Sequence, residues 1–168
     1  LIKNYDLNMN DLESFLPILK KDVAHKNLQY LYLSHFVKWD PQENYYYSVK
    51  NGAFMPRPHS SDGTYSRYSS FDDKIDDLHY FTTHVKFGIG RTTYDASQEI
   101  RNGHITRKDA VNLVQRFDGN IPTTYFAEIL DYLDISLDEF FSTCHKFRSP
   151  HLWDISDANS PVLKHAVF

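Results

Sequence analysis

The stretch between Ser61 and Arg101 carries the side chains of this sequence that could do chemistry. Its last part lies in the run KFGIGRTTYDASQEIRNG (86–103), in which Gly88 and Gly90 allow the backbone to approach a ligand closely. A helix is predicted to begin at about Arg91. Free N–H groups at a helix start, together with a guanidinium, form a plausible phosphate site. The pattern is neither a Walker loop nor a complete G-x-G-x-x-G motif, and Gly88 would serve equally well as a helix C-cap.

A charged helix is predicted before this turn, with two polar faces opposite an apolar stripe. One face contains Asp72, Asp76, His79, Thr83 and Lys86; the next contains Asp73, Asp77, Tyr80 and His84; the stripe contains Phe71, Ile75, Leu78, Thr82 and Val85. For a generic helix, a solvated charged face is the commoner interpretation, by about three to one. The aspartates in the first turn, and the lysines Lys74 and Lys86 at the two ends, favour a binding site instead.

The helix after the turn is polar nearly all round, which leaves only Tyr94, Ala96 and Ile100 for burial. A helix with this composition often bridges through solvent or forms the wall of a polar site. The sequence therefore predicts that the helix from Gly90 to Asn102 either crosses solvent or lines such a site.

Other local signals predict a mainly α chain with at most one or two short strands. Asp40-Pro41 is an N-cap followed by Pro at the first helical position, and this helix should end at Asn51-Gly52. Further helices are predicted from about Asn10, behind the cap residue Thr106, from about Pro122, and behind Ser136.

Two segments lack a helical pattern. The run FMPRPHSSDGTYSRYSS, Phe54 to Ser70, is rich in Pro, Gly and Ser, and a loop of this length in a compact domain is usually functional or mobile. The apolar run Leu28 to Val37 fits a buried strand or a helix segment equally well. Near the end of the chain, Val162 to Val167 has the pattern of one short strand.

Composition narrows the classes of partner. The net charge is −4 with nine histidines, which disfavours nucleic acid as the main partner because Lys and Arg drive binding to phosphates. The one cysteine, Cys144, cannot form an internal disulfide, which fits a reducing compartment such as the cytoplasm. Its place on the apolar side of a predicted helix indicates a core residue. No apolar run approaches the roughly 18 residues of a membrane span.

Four segments resemble one known family. They are YYYSVKNG (45–52), GTYSRYSSFDDKIDDLHYFTTHVKFGIGRTTYDASQEIRNGHITR (63–107), FDG (117–119) and FRSPHLW (147–153). They are similar to the C-terminal half of N-acetyl sugar amidotransferases, which belong to the PP-loop ATP-pyrophosphatase superfamily and act in bacterial surface-polysaccharide and lipopolysaccharide O-antigen biosynthesis. The likeness covers Trp39 to Trp153.

The resemblance implies an enzyme that converts the acetamido group of a nucleotide sugar into an acetamidino group. ATP, with Mg²⁺, would adenylate the amide oxygen, and ammonia would then displace AMP. The implied partners are a glutaminase subunit that supplies ammonia and a cyclase-like subunit, both similar to the pair used in histidine biosynthesis. A homodimer is a further expectation.

The same resemblance suggests roles for individual residues. Lys74, Lys86 and Arg91 are candidates for neutralising phosphate charge, and Asp72 and Asp73 for holding Mg²⁺ or orienting Lys74. The candidates for substrate contact are Thr64, Tyr65 and Ser66, on a loop expected to act as a mobile lid, and Asp95 and Arg101 on the helix after the glycine turn.

The family's Ser-Gly-Gly-x-Asp-Ser loop, which grips the ATP pyrophosphate, is not in this sequence, which begins at Leu1, and neither is a preceding set of cysteines. We therefore expect the chain to be the helical C-terminal part of a longer α/β enzyme, inactive alone. Residues 1–38 would end the nucleotide-binding region or connect to it, 39–153 would form the sugar-amidotransferase domain, and 154–168 an irregular tail. The alternative is a non-catalytic helical module for dimerisation or partner docking, which would spread the charged residues and expose an apolar patch.

Overall fold

The computed structural model describes residues 7–70, 72–157 and 160–167. Within these ranges the chain is mainly helical with two short antiparallel strands, as predicted. A boundary between two compact units falls between Trp39 and Asp40. None of the helices in the described ranges combines the length and the apolar character needed to cross a membrane.

The N-terminal unit contains only short helices. The 3-10 helices Asn10–Phe15 and Leu33–His35 lie on either side of α1 (Lys20–Val23), and none of the three buries a residue or has a side-chain N-cap bond. The helix predicted from Asn10 is therefore one 3-10 stretch, and its last residue, Phe15, is 83% exposed. The run Leu28 to Val37 forms neither a buried strand nor a buried helix.

The C-terminal unit holds the longer helices and both strands. The helices are α2 (Pro41–Gly52), α3 (Asp76–Phe87), α4 (Arg91–Asn102), α5 (Arg107–Phe117), α6 (Phe126–Leu133) and α7 (Leu137–Phe147). Strand β1 (Trp153–Asp154) pairs antiparallel with β2 (Val162–Leu163), so that Trp153 lies opposite Leu163. The strand predicted at Val162 is thus present but only two residues long.

Side-chain caps fix several helix starts where the sequence predicted them. Asp40 accepts a hydrogen bond from the Glu43 backbone N–H ahead of α2, and Ser136 accepts one from the Glu139 N–H ahead of α7. Thr106 and Asp109 bond each other's backbone reciprocally at the start of α5. Each such cap satisfies backbone donors that the helix cannot use and typically contributes about 1 kcal/mol.

Two helices begin later than predicted. The Asp73 side chain accepts a hydrogen bond from the Ile75 N–H at 2.7 Å, so a turn precedes α3 and Ile75 stays 43% exposed instead of joining the core. Phe71, the first residue of the predicted stripe, lies outside the described residues. Before α6, the N–H groups of Thr123 and Thr124 donate to the Asp62 carboxylate at 2.6 and 3.0 Å, which keeps that segment out of the helix.

The core lies where α3, α6 and α7 meet. Its buried members are Leu78, Phe81 and Val85 of α3, Ile129 of α6, and Phe140 and Cys144 of α7. Cys144 is therefore a core residue, as predicted. The strand pair is joined to this core because the indole N–H of Trp153 donates to the Val85 carbonyl at 2.9 Å. The result is a helical core beside which the loop between α2 and α3, together with α4, forms a separate polar region.

Candidate functional site

The loop between α2 and α3 is closed by its own hydrogen bonds. Ser61, Thr64, Ser66 and Ser69 are all less than 9% exposed. The Ser61 N–H donates to the Ser66 carbonyl at 3.1 Å, the Ser61 hydroxyl donates to the Ser69 carbonyl at 2.9 Å, and the Ser66 and Ser69 hydroxyls lie 2.9 Å apart. Thr64 and Ser66 thus lie inside the loop, where they satisfy buried polar groups, and the role of this loop as a lid over the substrate stays a prediction.

Two side chains attach this loop to α4. The Thr64 hydroxyl donates to Asp95 Oδ2 at 2.7 Å, and the Tyr65 hydroxyl donates to Glu99 Oε1 at 2.7 Å. Burial raises the pKa of Tyr65, and its hydrogen bond to Glu99 raises it further. Tyr65 therefore stays protonated and donates to Glu99 throughout the physiological range.

Arg91, at the start of α4, is held in place by three neighbours. Its Nε donates to Asp95 Oδ1 at 2.8 Å, Nη1 donates to the Tyr80 hydroxyl at 3.2 Å, and Nη2 makes a longer contact with the Ser69 hydroxyl at 3.4 Å. The guanidinium also lies 5.1 Å from the ring centre of Tyr80 and 5.5 Å from that of Tyr94. The Arg91 side chain is 30% exposed, so part of it faces solvent while these contacts hold it in one orientation.

Asp95 is the acidic centre of this group. Its side chain is 14% exposed and bonds both Arg91 and Thr64. Burial raises the pKa of the Asp95 carboxyl, while the Arg91 charge and the two hydrogen bonds reduce that rise. Of the predicted substrate residues, Thr64 and Asp95 thus lie in one hydrogen-bonded network with Arg91, and Tyr65 is attached to the same helix through Glu99.

The backbone N–H groups at the start of α4 are already occupied. The Asp118 carboxylate accepts hydrogen bonds from Gly90 N at 3.0 Å, from Thr92 N at 2.8 Å, from Thr93 N at 3.3 Å and from the Thr93 hydroxyl. The prediction of free donors for a phosphate at this helix start is therefore wrong. A protein carboxylate takes the place that an anion would have, and it stabilises the positive end of α4.

Each residue of the FDG segment has a distinct structural role. The ring of Phe117 lies 6.3 Å from that of Tyr65, and Asp118 provides the cap of α4. Gly119 has a φ of +78°, and a Cβ there would lie 2.7 Å from His84 Nε2. The segment is therefore explained by packing around α3 and α4, with no direct contact to a ligand required.

Lys74 pairs with a different helix from the neighbours of Arg91. The Lys74 ammonium bonds both carboxylate oxygens of Glu128 on α6, at 2.7 and 3.0 Å, and it lies 5.2 Å from the Tyr125 ring centre. Asp72 and Asp73 are exposed. Across the described ranges, no group of three or more His, Cys, Asp or Glu side chains is arranged to hold a metal ion. Magnesium binding by these two aspartates stays a prediction.

Lys86 lies on another part of the domain. It is exposed and lines a cavity between α3 and α7, with its ammonium 5.3 Å from the ring centre of Phe87. Lys74, Lys86 and Arg91 contact different neighbours on different helices, so the structure does not bring the three predicted phosphate residues together. Phosphate neutralisation needs converging cations, and a joint role of the three stays a prediction.

The exposed face of α4 brings together residues that were predicted in different roles. Arg91, Tyr94 and Arg101 are spaced by three and seven residues, which places them along one side of the helix. Tyr94, predicted to be buried, is 60% exposed, whereas Thr92, which was not among the residues predicted to be buried, is fully buried. No ion pair of Arg101 is found among the described residues. The sequence predicted both arginines but missed the aromatic ring between them.

Comparison with known proteins identifies the family. The family described as LPS biosynthesis protein WbpG-like, C-terminal domain, matches residues 62–165, which is more than half of the chain. The chain belongs to this family. No curated protein matches it. Membership connects the chain with lipopolysaccharide biosynthesis, as the resemblance implied, and with biosynthetic enzymes.

The matched region of this WbpG-like domain includes residues at the site that sequence reasoning did not assign. Ser69 and Tyr80 accept hydrogen bonds from Arg91, and Glu99 accepts one from Tyr65. Asp118 caps α4. Tyr80 falls on the face of α3 predicted to be charged, and nothing in its spacing marks it as buried. Asp118 is 28 residues from Gly90, and the FDG segment was the only signal that pointed to it.

A buried aspartate in the WbpG-like domain gives a prediction for pH dependence. Asp77, predicted on a polar face of α3, is 4% exposed, and its Oδ1 has no hydrogen-bond partner among the described residues. Burial raises the pKa of Asp77, and the neighbouring Asp62 raises it further. A carboxyl with a raised folded-state pKa stabilises the fold below its unfolded pKa, and this contribution is lost as the pH rises through the folded value.

Asp77→Asn should therefore be more stable than the wild type at pH 7, by on the order of 1 kcal/mol, because the variant has no buried charge. The difference should shrink to near zero at about pH 2.5, where the wild-type carboxyl is mostly protonated in both states, since the unfolded pKa is about 3.9. Urea unfolding at the two pH values measures this. Asp76→Asn, one residue away and less buried, is the control and should not be stabilised. A less stable Asp77→Asn at pH 7 would show that the folded protein needs the charge.

Proposed function

We propose that this domain is the helical C-terminal part of an ATP-dependent N-acetyl sugar amidotransferase, and that the exposed face of α4 holds the nucleotide-sugar substrate. The observation that supports this is the alignment of Arg91, Tyr94 and Arg101 on that face. Ten residues of helix separate the two arginines, a span of about 15 Å at 1.5 Å per residue. This length matches an extended nucleoside-diphosphate sugar.

The three side chains suit the parts of such a ligand. Arginine binds phosphate oxygens through charge-assisted and often bidentate hydrogen bonds. The exposed ring of Tyr94 offers a flat surface for a base or a sugar ring. Arg91 is fixed by Asp95, Tyr80 and Ser69, so little side-chain entropy would be lost when it binds.

The proposed reaction activates the acetamido group of the sugar. Its oxygen attacks the α-phosphorus of ATP and pyrophosphate leaves; ammonia then adds to the amide carbon and AMP leaves, which gives the acetamidino group. Mg²⁺ usually binds one or two carboxylates together with substrate phosphates, so Asp72 and Asp73 would supply only part of its coordination. A glutaminase subunit with a cyclase-like companion would provide the ammonia, in the cytoplasm.

Ligand binding tests the proposal directly. The probe is UDP-N-acetylglucosamine, titrated calorimetrically into the 168-residue chain. Arg101→Gln should weaken binding about tenfold, or about 1.4 kcal/mol, because one charge-assisted phosphate contact is lost. Tyr94→Leu should weaken it about fivefold through loss of stacking. AMP release that depends on ammonia and the sugar, after joining the chain to a PP-loop half, would test the reaction.

The matched control is Arg107→Gln. Arg107 is exposed at the start of α5, and its replacement removes the same charge from a neighbouring helix. It should leave the dissociation constant within about twofold of the wild type, an effect of long-range charge alone. If Arg101→Gln and Arg107→Gln weaken binding equally, the affinity depends on net charge alone, and the face of α4 is not the binding site.

A second role is favoured by the separation of the three predicted cations. Lys74 pairs with α6, Lys86 lies at the α3 and α7 cavity, and Arg91 belongs to α4. Such spreading, with exposed apolar side chains near Lys86, is what a module for dimerisation or partner docking would show. The two roles use different surfaces, so one domain can have both.

A further inference from the structure

A groove lies between α3 and α7. Its cavity has a volume of about 550 Å³. The buried side chains of Val85, Phe140 and Cys144 form its floor. The two helices run in the same direction, because Phe81 contacts Phe140 and, about one turn further along each helix, Val85 and Cys144 share the floor.

The groove is bordered by apolar side chains that face solvent. Phe87 and Phe147, at the C-terminal ends of α3 and α7, both line it and are 55% and 58% exposed. A small molecule inside the cavity would leave the outer faces of these rings in water. A helix laid along the groove would cover the cavity and both rings at once, which is how amphipathic helices bind apolar grooves.

Two opposite charges lie at the two ends of the groove. Lys86 is in the last turn of α3, and Glu139 is in the first turn of α7. Neither side chain has an ion pair within the described ranges. With Val85 level with Cys144, about six residues of helix separate Lys86 from Glu139 along the axis, which is about 9 Å. The nearest spacing that keeps two residues on one face of a docked helix is i and i+7, which is about 10.5 Å.

Because α3 and α7 are parallel, their dipoles favour one orientation of a helix that binds in the groove. Both C-terminal ends, next to Lys86, carry negative partial charge and favour the positive N-terminal end of a third helix. That helix would run antiparallel to α3 and α7. An acidic residue near its start would face Lys86, and a basic residue two turns later would face Glu139.

We propose that the α3–α7 groove docks one amphipathic helix of a partner protein in this direction, with an apolar stripe in the groove and an acid at i and a base at i+7 beside it. This proposal rests on two observations: the opposite charges of Lys86 and Glu139 at the groove ends, and the exposed rings of Phe87 and Phe147. The proposal does not rest on the nucleotide-sugar site, which lies on α4. Peptide binding to the groove and nucleotide-sugar binding to α4 can therefore be measured separately.

Two synthetic peptides test the charge order. Both are fluorescein-labelled 18-residue helices with the same leucine stripe; one has Glu at i and Lys at i+7, and the other has these two residues exchanged. Fluorescence anisotropy with the 168-residue chain should show at least tenfold tighter binding of the first peptide. The double exchange Lys86→Glu with Glu139→Lys should reverse the preference. Equal affinity of the two peptides, or no binding of either, would overturn the proposal.

Blocking variants test the position. Thr143→Arg places a long side chain in the groove and should reduce peptide binding at least tenfold. Ser142→Arg, one residue away on α7 and exposed but outside the groove lining, should have no effect. Equal loss in both variants would overturn the assignment. So would a dimer of this chain, seen by analytical ultracentrifugation, that only Thr143→Arg dissociates, since the occupant would then be a second copy. UDP-N-acetylglucosamine binding should be unchanged in every groove variant.

Discussion

Gly90→Ala should lower the free energy of unfolding by about 3 kcal/mol. The backbone of Gly90 is extended, with φ −108° and ψ −171°, so alanine is acceptable there by torsion. Its Cβ, however, would lie 2.5 Å from Asp118 Oδ1 and 2.7 Å from Asp118 Cγ. The carboxylate would have to leave the start of α4, and hydrogen bonds to a charged group contribute about 1.5–3 kcal/mol each. Thermal unfolding should shift down by about 6–12 °C.

A matched glycine separates this effect from a general intolerance of alanine. Gly52, at the end of α2, has open space where a Cβ would stand, with no heavy atom of a neighbouring segment within 4 Å, so Gly52→Ala should be neutral or slightly stabilising. The double variant Gly90→Ala with Asp118→Ala should be no less stable than Asp118→Ala alone, because the clash is with that carboxylate. Additive losses would show that Gly90 has some role other than making room for the cap.

Local signals in the sequence were enough to predict most helix ends. Asp40, Thr106 and Ser136 cap helices as expected, and Gly88, which the sequence offered as a C-cap, ends α3 with a φ of +72°. These features depend on residues within one turn of each other, so the sequence contains all the information that they need. The burial of Cys144 followed from helical spacing in the same way.

The contents of the polar region could not be predicted because they depend on contacts between distant segments. Helical periodicity placed Asp77 and Tyr80 on a polar face of α3, but the loop folds over that face and buries both. The free N–H groups expected at the start of α4 are bonded to Asp118, which approaches from the end of α5. Spacing along one helix states which residues share a face, but not which other segment covers it.

The Arg91–Asp95 pair should show strong energetic coupling. Their side chains are 30% and 14% exposed and bonded at 2.8 Å. Removing one partner leaves the other charge partly buried, so Arg91→Met and Asp95→Asn should each lose about 2 kcal/mol of stability, between the values for exposed and fully buried pairs. The double variant should lose less than the sum, with a coupling of about 1–2 kcal/mol from urea unfolding of all four proteins.

Lys74 and Glu128 provide the matched control for this cycle. They are bonded at 2.7 Å, but their side chains are 57% and 61% exposed, so their coupling should stay below about 0.5 kcal/mol. Coupling of the same size in both cycles would mean that Arg91 is no better fixed than a surface lysine. The proposed nucleotide-sugar site on α4 would then lose its preorganised cation.

The pH dependence of the same variants identifies which charge is responsible. Burial raises the pKa of Asp95 and the Arg91 charge counteracts this, so in Arg91→Met the folded-state pKa of Asp95 should rise further. A raised folded pKa gives stability at low pH that is lost as the pH rises through it. Arg91→Met should therefore lose more stability than the wild type between pH 4 and pH 7, whereas Asp95→Asn should not. Because the proposed substrate is anionic, fixing Arg91 with a buried carboxylate leaves the outer side of the guanidinium as the part that can still bind it.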